Sequence, residues 1–75
     1  MPEIINASGI ARIIRCDPIK VRHKMRAGEW TFGRVIPPPH KGGQYKYEAT
    51  ITEVAKYVDI TREEAERRLR EAWKN

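Results

Sequence analysis

Nine of the fifteen Lys and Arg residues in this chain fall between Arg12 and Lys46, against only Asp17 and Glu29, which leaves that stretch with a net charge of +7. The cations are Arg12, Arg15, Lys20, Arg22, Lys24, Arg26, Arg34, Lys41 and Lys46, with His40 beside Lys41. The flanking segments are each slightly acidic, so the formal +5 of the whole chain lies in its middle. Concentrated positive charge of this kind repels itself in a folded domain and finds its natural counterpart in a polyanion. The chemistry it suits is phosphate neutralisation. Tyr45 and Tyr47 stand inside the same region, where aromatic rings interleaved with cations suit stacking on bases.

Groups suited to catalysis or metal binding are few. Cys16, His23 and His40 are the only thiol and imidazoles. They form neither a metal-ligand spacing nor a nucleophile–base pattern, and no glycine-rich phosphate cradle follows a strand signal. The sequence therefore predicts no enzyme, no metal, no cofactor and no small-molecule substrate. One cysteine closes no internal disulfide, which fits a reducing, cytoplasmic setting. The longest apolar runs are far short of a membrane span, so no membrane partner is expected. Abundant Glu and Arg with only three amide side chains, Asn6, Gln44 and Asn75, is a bias shared with thermophile proteins.

The elements that would position the cations are read from periodicity. From Ile19 to Arg26, Ile19, Val21, His23 and Met25 alternate with Lys20, Arg22, Lys24 and Arg26, the period of a half-buried strand. Asp17-Pro18 reads as a turn before it, and Ala27-Gly28-Glu29 as a reversal into a second run, 30–36. Residues 19–36 are thus expected as a hairpin with one cationic face and with His23 on the core side. Trp30 and Phe32 fall on one strand face, the natural core layer. The stretch 37–44, with three prolines and a Gly pair, reads as an exposed loop carrying His40 and Lys41, and 45–48 as a short third strand. Residues 8–16 fit either a short helix capped by Ser8 and burying Ile10, Ile13 and Ile14, or a strand; the strand is preferred for its β-branched content.

Two capping boxes, Thr50-Ile51-Thr52-Glu53 and Thr61-Arg62-Glu63-Glu64, open helices over about 51–58 and 62–74. The first buries Ile51, Val54, Ala55 and Val58, the second Ala65, Leu69, Ala72 and Trp73. Glu63–Arg67, Glu64–Arg68 and Glu66–Arg70 are spaced as i,i+4 ion pairs. Seventy-five residues make one domain. The expected fold class is α+β, a small antiparallel sheet packed by two C-terminal helices.

Over residues 52–69 this helical pair resembles a helix-turn-helix. Ala55 stands at the small position, Val58 precedes the turn, Ile60 and Thr61 are its apolar and capping residues, and Ala65 and Leu69 close the core. Asp59 replaces the usual turn glycine. The resemblance implies DNA contacts from Arg62, Arg67, Arg68 and Arg70, in a helix-turn-helix or winged-helix-like regulator or a chromatin protein. Glu63, Glu64 and Glu66 oppose that role, because the start of the second helix must approach phosphates. In size and charge the chain also resembles small ribosomal or ribonucleoprotein-associated proteins. Structured RNA, gripped through the backbone by the strand face and the loop, is therefore the first expectation, DNA the second, and a protein partner held by the C-terminal helices the third.

Overall fold

The computed structural model describes residues 3–71. The expected α+β class is observed: four helices and a three-stranded antiparallel sheet, in the order β1 (Ile4–Ile5), α1 (Ala7–Ile14), α2 (Pro18–Arg26), β2 (Arg34–Ile36), β3 (Lys46–Thr50), α3 (Ile51–Tyr57) and α4 (Arg62–Arg70). The longest strand, β3, is central, with Ile5 opposite Ala49 on one side and Val35 opposite Tyr47 on the other. The two C-terminal helices stand where the capping boxes put them. Ala72 and Trp73, expected to extend the second, lie outside the described residues.

The cationic strand is the main correction. Pro18–Arg26 is a helix, with Asp17 as its N-cap accepting a hydrogen bond from Ile19 N at 2.8 Å and Pro18 in the first turn. Asp followed by Pro, read as a turn, is here a helix start: proline has no N–H to lose at that position, and its φ suits a helix. Burial separates the two periods. Val21 and Met25, four apart, are buried at 0% and 4% exposure, whereas Ile19 is 59% exposed and His23 lies on the surface. Tertiary packing thus selects the i,i+4 pair from the alternating set. The row Lys20, Arg22, Lys24, Arg26 accordingly winds round a helix, and His23 is not a core residue.

Residues 8–16 also resolve to the helical alternative. Asn6, rather than Ser8, caps α1 by accepting from Gly9 N at 3.0 Å, and Ile10 and Ile13 are fully buried. Only 34–36 of the expected second strand is paired. Trp30 and Phe32 fall in the segment before it, half-buried against the core and packed with Tyr57 of α3, with centroids 5.8 Å apart from each other and Phe32 4.8 Å from Tyr57. Gly33 has φ +70°, and a Cβ there would collide with the Glu48 carbonyl and come within 2.7 Å of the Ala49 Cβ, so the chain passes β3 only as glycine.

The core gathers Ile10, Ile13, Val21, Ile51, Val54 and Ala65, all at 0% exposure, from all four helices. The two helix pairs share one local design. The N-caps Asn6 and Thr50, the left-handed turn residues Arg15 (φ 66°) and Asp59 (φ 59°), and the N-caps Asp17 and Thr61 each lie 44 positions apart in the sequence. The buried Val21 and Met25 of α2 correspond in the same way to Ala65 and Leu69 of α4. Each unit is a capped helix, a turn through a left-handed residue, and a second capped helix packed on the first.

Candidate nucleic-acid interface

Helix α2 carries Lys20, Arg22, His23, Lys24 and Arg26 and no carboxylate within its nine residues. It is held on α1 by Val21 and Met25 and follows the turn Arg15-Cys16-Asp17, so it is the second of two packed helices joined by a three-residue turn. Burial pushes the Cys16 thiol pKa up, with the Lys20 charge partly opposing, which keeps the half-buried sulfur protonated and a poor nucleophile.

Next to α2 stands the β2–β3 hairpin, whose loop 37–45 holds the three prolines, His40, Lys41 and Gly42 at φ +89°. An open groove of about 820 Å³ runs between them, lined by Ser8 of α1, Arg22 and Arg26 of α2, and Gln44, Tyr45 and Lys46 of the hairpin. The Arg26 guanidinium lies over the Tyr45 ring, 4.1 Å from its centroid, and joins helix to hairpin across the groove. Tyr45 keeps 38% of its surface exposed, while Tyr47 is a core residue at 7%. Tyr47 is therefore not available for stacking on bases: it belongs to the central strand opposite Val35, under the helices.

The ten cationic candidates separate by what already holds them. Arg15 pairs with Glu71 at 3.4 Å, Lys24 with Glu29 at 2.8 Å and Arg34 with Glu48 at 3.2 Å, and Arg12 donates to the Leu69 carbonyl at 3.3 Å. Lys20, Arg22, Arg26, Lys41 and Lys46 have no acidic partner among the described residues, and all five are exposed. His40 is exposed at the loop, with Nδ1 3.4 Å from the Lys41 carbonyl oxygen. Three of the five unpaired cations are on α2 and two on the hairpin, and these elements border the same groove.

The pair in 52–69 is built the other way. Arg62 is held by Glu3 and by Glu66 at 2.9 Å, Arg67 by Glu64 at 2.6 Å and Glu71 at 2.7 Å, and Arg68 by Glu64 at 2.9 Å with a further bond to the Ile13 carbonyl at 2.8 Å. Of the expected i,i+4 pairs only Glu64–Arg68 forms; Arg67 turns to Glu64 and Glu71, and Glu66 to Arg62. The adjacent Arg67 and Arg68 guanidiniums hold the Glu64 carboxyl below the usual glutamate range. Of the alternative contacts, Arg62, Arg67 and Arg68 are thus neutralised inside the protein, and Arg70 alone has no ion pair among the described residues.

The cations expected on a strand, Lys20, Arg22, Lys24 and Arg26, stand on helix α2 instead, with Ser8 and Gln44 lining the groove beside it and Ile19 exposed on the same helix. The helix-start signal Asp17-Pro18, combined with Val21 and Met25 four apart, marks α2 in the sequence. No cluster of His, Cys, Asp or Glu able to hold a metal occurs among the described residues, and no described helix is long and apolar enough to cross a membrane. Comparison with protein-family models, curated proteins and solved structures finds no match to this chain.

Proposed function

We propose that this protein binds double-stranded DNA, with α2 in the major groove and the β2–β3 loop against the flanking backbone, in a winged-helix-like manner. The observation that carries the reading is the unneutralised cationic surface of α2, set on a helix-turn-helix pair and continued across one groove by Lys46 and the loop. A helix about 10–12 Å across with its side chains fits a major groove about 12 Å wide. The first helix of such a pair lies across the backbone, and Ser8 at the start of α1 borders the same groove as Arg22 and Arg26.

The preference for DNA over RNA follows from the change of element. A strand face could follow a phosphate chain in either nucleic acid, but a protruding helix needs a groove that admits it, and the major groove of A-form RNA is deep and narrow. Five unpaired cations meeting five phosphates give a slope of about −4.5 in log K against log salt, hence about a 500-fold loss of affinity between 50 and 200 mM salt. The test is fluorescence anisotropy with a labelled 20-base-pair DNA duplex at about 50 mM salt, competed by unlabelled DNA duplex, RNA duplex and an RNA hairpin. The reading requires the DNA duplex to compete best. Stronger competition by either RNA returns the function to a ribonucleoprotein role, and absence of binding to any of them leaves a protein partner.

A further inference from the structure

At 100° per residue, Ile19 and His23 lie about 160° and about 200° round α2 from the buried Val21, the line that points most directly away from the core. Arg22 and Arg26 flank that line on the side of the hairpin groove, and Lys20 on the other, next to Lys24, which pairs with Glu29. Cations on both flanks of a groove-bound helix suit the two phosphate rims, and the central line meets the base edges. Ile19 is the most exposed large hydrophobic residue of the described chain, at 59%. It sits in the first turn of α2, the part of a second helix that reaches bases.

An apolar, β-branched side chain in that place makes no hydrogen bond and touches no phosphate. Its χ1 is restricted by the helix, so it presents a methyl surface in a defined direction. The one feature in the major groove complementary to such a surface is the C5-methyl group of thymine. Ile19 is fixed there by its neighbours: its N–H is taken by the Asp17 carboxylate, and Pro18 sets the backbone before it. Scattered exposed apolar residues are common on protein surfaces. What sets Ile19 apart is its position at the centre of an otherwise cationic helix face.

We infer that Ile19 is a specificity-determining residue that reads a thymine methyl group in the major groove, giving the protein a fixed T·A pair in its binding site. The inference rests on the proposed DNA reading. The experiment is selection of duplexes from a random library, followed by replacement of each thymine of the selected site by deoxyuridine, which removes only the methyl group. The same duplexes are measured with Ile19→Ala and Ile19→Val.

One thymine should be fixed, and its replacement by deoxyuridine should weaken wild-type binding about fourfold, the worth of one buried methyl group. Ile19→Ala should bind the thymine and deoxyuridine sites equally, while Ile19→Val keeps the difference. Ile19 is surface-exposed, and circular dichroism of each variant checks that the fold is intact. Equal deoxyuridine sensitivity in wild type and Ile19→Ala, or selected sites without a fixed thymine, overturns the role of Ile19 and leaves DNA binding standing. Failure to enrich any duplex, together with no binding in the anisotropy measurement, overturns both.

Discussion

The α1–α2 and α3–α4 pairs are built alike and charged differently. Both use a side-chain cap, a helix of two turns, a left-handed turn residue, a second cap and a nine-residue helix fixed by two buried side chains four apart. In α4 three of the four arginines, Arg62, Arg67 and Arg68, are held by carboxylates within the fold, tying the pair to Glu3 and to the Ile13 carbonyl of α1. In α2 only Lys24 has a carboxylate partner among the described residues, and that partner, Glu29, lies beyond the helix. The two pairs share one backbone design, so on the proposed reading it is the charges left unsatisfied after folding that distinguish the binding helix. A cation already paired must break that pair before it meets a phosphate.

The largest effect that would break this contrast comes from removing the free cations. Lys20→Gln, Arg22→Gln and Arg26→Gln together should weaken DNA affinity on the order of 100-fold at low salt and make the salt slope shallower by about 2.7, the share of three phosphates. Arg67→Gln with Arg70→Gln should change affinity less than about threefold. Anisotropy titrations at several salt concentrations measure both, and comparable losses would place the two pairs on an equal footing.

A smaller effect tests the shared architecture. Asp17→Ala and Thr61→Ala each remove an N-cap and should each cost about 1 kcal/mol in urea unfolding. Asp59→Gly should raise stability by up to about 1 kcal/mol, since glycine adopts the left-handed conformation without a Cβ penalty. Arg15→Gly makes the same backbone change but gives up the contact with Glu71, so its gain should be the smaller of the two.

The mildest effect is in acid, and it belongs to the second pair. Backbone hydrogen bonds from Thr50 and from Gly33, at 2.9 and 3.2 Å, hold the Glu53 carboxyl below the usual glutamate range, and Arg67 and Arg68 do the same for Glu64. A carboxyl with a depressed folded pKa binds protons more weakly folded than unfolded. Its stabilisation is present at neutral pH and fades as pH falls from about 5 towards the depressed value. Melting temperatures measured from pH 7 to pH 3 should therefore decline with acid, and Glu53→Gln or Glu64→Gln should flatten the decline.

Much of this was legible in the residues, and the misreadings share one cause. The Thr50 capping box is observed whole and Thr61 caps α4, because those signals are local. The charge map needed only counting, and the proposed binding cations are a subset of it. What failed was the choice between periods two and four over 19–26, where Ile19, Val21, His23 and Met25 satisfy both. Only contact with α1 and the core decides that Val21 and Met25 turn inward while Ile19 and His23 stay outside. Neither ion-pair choice nor the burial of Tyr47 beside the exposed Tyr45 could be read locally. Each depends on which side chains the fold brings within reach, such as Glu71 for Arg15, 56 positions away.

The central claim, that α2 and not α4 meets DNA, is tested most directly by titrating the 15N-labelled protein with a duplex and following its backbone amides. The account predicts that the largest shift changes cluster in residues 18–26 and 40–46, with 62–70 nearly unmoved. Changes concentrated in 62–70, with 18–26 silent, would contradict it.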